Sequence, residues 1–291
     1  MTNAEFNYHA PTSLLGAIHL LSSGAELQPL AGGYALVAQI SRAGSACAGV
    51  VDLRKVPHLD QIATKEDGYL RIGAMVTLDR IAVDASIVAR WTALADAASM
   101  VGDDQTRAHA TLGGAVAVRS RHGVMSAAGP NDIHAALMAL DARVEICSST
   151  DTVSELPVAH VVQDGLPKGS LVTAVLIPAL GAAVASAYVK MRHPASLYPI
   201  CGVAAVVGVA KAQQIKSLAL AVTGATRDSL RMSDLETALI GRAMPQTLLM
   251  PGVSIDQCHS DSFAAADYRQ HLTGILTQDA ITSAISRIKT N

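Results

Sequence analysis

Two glycine pairs stand where a backbone could close on an anion: Ala31-Gly32-Gly33-Tyr34-Ala35 and Thr111-Leu112-Gly113-Gly114-Ala115. Without a Cβ, glycine reaches positive φ and lets its N–H approach a ligand closely. Successive N–H groups in such a turn form an anion-binding concavity, and two of them could hold a pyrophosphate from both sides. The elements around the first pair suit that chemistry. Leu27 to Leu30 reads as a short strand, Ala35 to Ser41 as a helix turning back, and Val50 to Leu53 as a second strand. The first Gly-Gly therefore falls at a strand-to-helix turn, where helix N-terminal amides point at an anion. The polar run Gln105 to Ala110 leads into the second pair.

Other chemistries find no footing. Pro167-Lys168-Gly169-Ser170 lacks the glycine spacing and Gly-Lys order of a phosphate loop, and reads as a turn before a strand. No Gly-x-Ser-x-Gly elbow occurs for a serine nucleophile. Cys47, Cys147, Cys201 and Cys258 are far apart, whereas zinc and iron–sulfur sites generally use at least one closely spaced pair. They read as reduced thiols. His109, His122 and His134 are scattered among Asp103, Asp104 and Asp132 without a close histidine pair, so they read as solvated or hydrogen-bonded groups.

Composition sets the bounds. The 291 residues are 50% hydrophobic but only 3% aromatic, so Ala, Val, Leu and Ile must fill the core. A net charge of −2 from 22 basic and 24 acidic residues leaves no basic field for nucleic acid. No apolar run approaches the ~20 residues that cross a bilayer. Residues 1–9 lack a signal pattern, which predicts a cytoplasmic protein.

The rest of the chain reads as α+β. Residues 11–24 form a helix; Tyr69 to Met75 is a strand, followed by helical stretches near 77–83 and 88–101. A helix from Asp132 to Leu140 precedes strands at Arg143 to Cys147 and Ser170 to Ile177, and a mixed sheet is expected there. Pro178-Ala179-Leu180-Gly181 reads as a linker, giving domains at 1–177 and 178–291. Beyond it, Ala183 to Met191, Val203 to Val209 and Ser217 to Thr223 predict a three-stranded antiparallel sheet with helices on one face. Ser233-Asp234-Leu235-Glu236 fits a capping box, and helices follow at Ala264 to Leu276 and Ala280 to Ile288.

Residues 30–36, Leu-Ala-Gly-Gly-Tyr-Ala-Leu, with Val51-Asp52-Leu53 and Val56-Pro57-His58-Leu59 after them, resemble the opening of the FAD-binding medium subunit of molybdenum hydroxylases, the carbon monoxide dehydrogenase and xanthine dehydrogenase family. The likeness continues in residues 105–114, in Asp132-Ile133-His134-Ala135-Ala136-Leu137-Met138-Ala139-Leu140, in residues 187–192 and in residues 266–272. It spans nearly the whole chain, in the family's order. It implies a vanillyl-alcohol-oxidase-like FAD domain followed by a C-terminal domain like that of carbon monoxide dehydrogenase flavoproteins. It also implies a large molybdopterin subunit and a small 2Fe–2S subunit as partners, in a dimer of heterotrimers. Electrons would pass from the 2Fe–2S clusters through FAD to an external acceptor, with the cofactor doing the redox chemistry.

The resemblance assigns cofactor contacts to Leu30, Ala31, Gly32, Gly33, Tyr34, Ala35 and Leu36, and to Thr111, Leu112, Gly113, Gly114 and Ala115. It adds Asp132 near the ribityl or pyrophosphate, Ile177, Lys190 towards the flavin cleft, and Tyr198 as a residue that could stack on the ring. It assigns no catalytic residue and no metal to this chain. From the residues alone, Asp132 is as readily a helix cap and Lys190 a surface lysine.

Three departures from the family pattern bear on the cofactor. A hydroxyl residue is usual where this chain has Ala35, and Asn or Ser is usual where it has Ala115. The stretch 116–129, with Arg119 and Arg121, is altered and longer. Each lost bond to a charged acceptor is worth roughly 1.5–3 kcal/mol. These departures motivate an alternative: a structural subunit of the same complex that has lost or weakened FAD. A stand-alone flavin oxidase is disfavoured, because the chain has no large substrate domain and no evident His or Cys flavin tether.

Overall fold

The computed structural model describes residues 6–23, 26–41, 47–117, 130–148, 152–210, 214–243 and 252–288. The first unit is a parallel sheet of β1 (Asn7–His9), β2 (Leu27–Leu30) and β3 (Gly49–Asp52), in the order β1-β3-β2. Parallel neighbours need crossovers, and α1 (Leu14–Ser22) and α2 (Tyr34–Ile40) lie in them. Ser13 caps α1 by accepting from Gly16 N–H at 3.1 Å, while Ala17 and Ile18 face the core beside Val51 and Leu53.

The second unit holds β4 (Ile62–Thr64), β5 (Leu70–Gly73), β6 (Arg143–Cys147), β7 (Val153–Pro157) and β8 (Leu171–Ile177), in the order β4-β5-β8-β6-β7. The sequence predicts a mixed sheet here, yet every described pairing is antiparallel. The helices between β5 and β6 form a separate layer instead of crossovers. They are α3 (Leu78–Val83), α4 (Ala85–Arg90), α5 (Thr92–Met100), α6 (Asp104–His109), α7 (Leu112–Ala117) and α8 (Asp132–Ala139); α9 (Val158–Asp164) follows β7. Trp91, Leu94, Leu112, Ile133 and Leu137 pack with Leu70, Ile72 and Val175 in one core.

The last unit is an antiparallel meander of β9 (Val184–Arg192), β10 (Pro199–Val209), β11 (Ile215–Thr223) and β12 (Leu230–Arg231), with α10 (Ser233–Leu239) and α11 (Ala266–Ser286). The two-residue β12 adds a fourth strand to the three expected. Helices cover both faces rather than one. Val203, Ala205 and Val207 of β10 join the core with Leu272, Leu276 and Ile281 of α11, while Ala204 and Val206 join the core of α5 and α8. Burial on both faces is why β10 reads as an unbroken apolar run.

Two local expectations fail for visible reasons. Glu236 makes no capping box: its carboxylate accepts from Leu220 N–H at 2.7 Å and from Arg231, and Met232 occupies the N-cap. The two C-terminal helices are one, because Leu272, Leu276, Ala280, Ile281 and Ala284 bury one continuous face through the expected break.

Candidate functional site

Gly33 caps α2 at φ 80°, a left-handed conformation that glycine tolerates without strain. No side chain caps this helix. Val37 N–H donates to Gly33 C=O at 2.8 Å, but among the described residues nothing accepts from the N–H groups of Gly33, Tyr34, Ala35 and Leu36. Such unpaired first-turn amides are the donors that anions meet at helix N-termini. Ala31 and Leu36 are half-buried, Leu30 C=O accepts from Leu53 N–H at 3.0 Å, and the Tyr34 ring is exposed.

Gly32 serves a different purpose. A Cβ there would lie 1.7 Å from His109 C=O, so the first glycine is required by a backbone crossing. That crossing brings the two glycine segments together, since His109 ends α6 and α7 begins three residues later.

The second segment is the first turn of a helix rather than an open loop. Leu112 N–H donates to Val76 C=O at 2.9 Å and Gly113 N–H to Ala74 C=O at 2.8 Å, and Gly113 has no room for a Cβ against Ala74. Gly113 therefore has no free donor. Gly114 N–H meets Thr111 Oγ1 at 3.3 Å, and Ala115 C=O accepts from Asn131 Nδ2 at 2.7 Å. Residues 118–129, including Arg119, Arg121 and His122, lie outside the described residues.

At the opposite end of α6 a cleft of about 580 Å³ opens between the two domains. Met100, Gly102, Asp103, Gln105 and Arg107 line one wall, and Arg192 and Leu197 the other. Arg107 is held by Asp104 and by Val101 and Gly102 C=O at 3.2 and 3.1 Å, while Asp103 caps α6 by accepting from Thr106 N–H at 2.7 Å.

Asp132 and Lys190 meet beside this cleft, with Lys190 Nζ 3.1 Å from the carboxylate and both side chains buried. Tyr188 donates its hydroxyl to the same carboxylate. Burial pushes the Asp132 carboxyl above the usual carboxylate range, against the pull of Lys190 and Tyr188. Lys190 also donates to Met100 C=O at 2.6 Å and Leu197 C=O at 3.1 Å. Leu197 sits at φ 62°, an uncommon conformation for a non-glycine residue, and Lys190 grips its carbonyl. Neither Asp132 nor Lys190 matches the bland reading of its sequence. Asn131, not Asp132, caps α8, accepting from Ile133 N–H at 3.0 Å, and Lys190 is not at the surface. Ile177 packs in the main core at the end of β8, paired with Leu70, and Tyr198 lies in the turn between β9 and β10.

Sequence reasoning passed over Arg107 and Arg192. Each lies inside a stretch that carries the family resemblance, but only the fold shows that both line one cleft.

The described residues suit a dinucleotide with a central anion. A row of free N–H groups and an interdomain cleft lie at the two ends of α6, whose six residues span about 9 Å at 1.5 Å per residue. Residues 4–180 match the family model described as the FAD binding domain in molybdopterin dehydrogenase, and residues 186–284 the CO dehydrogenase flavoprotein C-terminal domain. The chain is 24% identical to the carbon monoxide dehydrogenase medium chain of Afipia carboxidovorans, over 99% of this chain and 100% of the relative. It is 26% identical to that of Hydrogenophaga pseudoflava, over 99% of each. A solved carbon monoxide dehydrogenase structure from Hydrogenophaga pseudoflava superposes with a TM-score of 0.85 at 25% identity, covering 98% of this chain and 99% of that one. The chain belongs to the FAD-binding medium-subunit family of molybdenum hydroxylases, a family of oxidoreductase subunits. Among the described residues no helix is long and apolar enough to cross a membrane.

Proposed function

We propose that this chain is the electron-transfer flavoprotein subunit of a molybdenum hydroxylase complex. It would take electrons from 2Fe–2S clusters in a small partner and pass them through FAD to an external acceptor such as a quinone, NAD or oxygen. Substrate would be hydroxylated at a molybdopterin centre in a large partner, the whole forming a dimer of heterotrimers. The observation that carries this reading is the open row of N–H groups from Gly33 to Leu36, held against α6 by the Gly32–His109 crossing.

FAD, when bound, supplies the two-electron chemistry; the chain binds and orients it. Gly33, Tyr34, Ala35 and Leu36 offer backbone donors to the pyrophosphate, with Leu30, Ala31 and Gly32 forming the turn that presents them. Thr111, Leu112, Gly113, Gly114 and Ala115 form the facing wall. The cleft beside Asp132 and Lys190, which fix the turn after β9, would hold the ring, while Ile177 would support the site from the core. The flavin domain runs through residue 177 and the C-terminal domain from 178.

A second reading, a structural subunit with weak or absent FAD, draws on Ala35 and Ala115, which offer no side-chain donor. An absorption spectrum of the purified complex, with released flavin quantified per copy of this chain, tests both. Near-stoichiometric FAD supports the flavoprotein; a complex containing this chain and no flavin overturns it.

A further inference from the structure

Arg192 ends β9 and is exposed on the C-terminal wall of the interdomain cleft. The other charged groups of the cleft are engaged. Arg107 is bound by Asp104 and two carbonyls, and Asp103 caps α6. Asp104 accepts from Arg107. Among the described residues no carboxylate or carbonyl accepts from the Arg192 guanidinium, whereas the cleft's other arginine, Arg107, is held by Asp104 and two backbone carbonyls.

The backbone that carries it is held in place. Two residues earlier, Lys190 is anchored to Asp132, Met100 C=O and Leu197 C=O. The following turn closes on itself, with His193 N–H donating to Tyr198 C=O at 2.8 Å and Leu197 N–H to His193 C=O at 2.9 Å. The strained Leu197 lies on the same wall. The cleft, about 580 Å³ and open to solvent, has the volume for a ring-sized group. It lies at the N-terminal end of α6, and the Gly32–His109 crossing that carries the first glycine turn lies at the other.

Resting on the proposed FAD site, we infer that Arg192 is the residue of this chain that sets the reduction potential of the flavin. Uptake of two electrons and one proton leaves the ring one unit more negative. A cation carried beside it on anchored backbone binds that form more tightly than the oxidised one, which raises the potential. Arg192 is in this sense a tuning residue, and it leaves the pyrophosphate contacts to the glycine turns.

The test uses the purified complex with Arg192→Gln and Arg192→Lys. FAD is quantified per copy, and the midpoint potential is read in a dithionite titration against a reference dye. Arg192→Gln should retain FAD and lose about tenfold in the preference for reduced over oxidised flavin, a downward shift of about 30 mV for a two-electron couple. Arg192→Lys should stay near the wild type. An unchanged potential in FAD-replete Arg192→Gln overturns the inference while leaving the FAD reading intact. Loss of FAD from both variants also overturns it, since the residue would then be holding the cofactor rather than tuning it. A wild-type complex without FAD overturns both readings together.

Discussion

Lys190 and Asp132 form a buried ion pair that ties the C-terminal sheet to the first turn of α8. Two further pairs cross the same boundary with the same polarity. Arg231 reaches Asp141, and Arg287 reaches Asp96. In each case the cation comes from the C-terminal domain and the carboxylate from the flavin domain. The Lys190 pair differs in being fully desolvated, and in holding through its other donors the turn that carries Leu197.

Removing one partner of such a pair strands the other in the core. Lys190→Met should therefore destabilise the protein by about 3–5 kcal/mol in denaturant unfolding. Combining it with Asp132→Asn removes the stranded charge and should recover part of that loss. A Lys190→Met protein of wild-type stability would contradict the burial and pairing described for these residues.

His134, in α8, is buried with Nε2 3.3 Å from Val116 C=O, and burial holds its imidazole down to about 4 from an ordinary 6.5. The unfolded chain takes up a proton near 6.5 that the folded chain refuses until about 4. Stability therefore falls as the pH drops through that window, by about 2–3 kcal/mol at its acid end. His134→Gln removes the titrating group and should flatten the stability–pH curve between 6.5 and 4, whatever it does to the absolute value. Retention of the wild-type slope in the variant would assign the acid lability to other groups.

Much of the architecture was legible in the sequence because it rests on local pattern. The strand–Gly-Gly–helix turn at Leu30–Leu36, the helix from Asp132 and the three long C-terminal strands follow from periodicity and turn residues alone. What was not legible depends on distant partners. Glu236 looks like a capping residue until Leu220 and Arg231 claim its carboxylate. Gly113 looks like a loop donor until Ala74 takes its N–H. The Asp132–Lys190 pair joins residues whose separation in sequence gives no sign of contact, and Arg192 shows its isolation only against the paired charges around it.

The glycines should separate by cause. Gly32→Ala drives a Cβ into the His109 carbonyl, and overpacking against rigid backbone should cost about 1–3 kcal/mol or more, read in thermal or denaturant unfolding. Gly33→Ala, at φ 80°, should cost only the left-handed strain of about 1–2 kcal/mol. Gly241→Ala, at φ 82° with nothing within 4 Å, provides the control for that strain. In the complex, Gly33→Val and Gly114→Val should fold and lose flavin. Wild-type flavin content in folded Gly33→Val would remove the first glycine turn from the cofactor site.

Ala35 and Ala115 offer no polar side chain where the family resemblance implies one, so the affinity for FAD should rest mainly on backbone donors. Ala35→Ser and Ala115→Asn add a donor on each side of the proposed pyrophosphate. Each should tighten FAD by about 1–2 kcal/mol if it reaches a charged oxygen. Ala35 has a free N–H in the first turn of α2, so a serine hydroxyl there would extend an existing row of donors. Ala115 is half-buried, with its carbonyl held by Asn131, so its backbone is fixed when the side chain is lengthened. Titration of the deflavinated complex with FAD, followed by flavin fluorescence, reads the outcome as a lower Kd and slower flavin loss on dilution. Saturable tight binding by the wild type removes the structural-subunit reading. Absence of binding by both the wild type and the double variant removes the flavoprotein reading, because adding the missing donors would then have restored nothing.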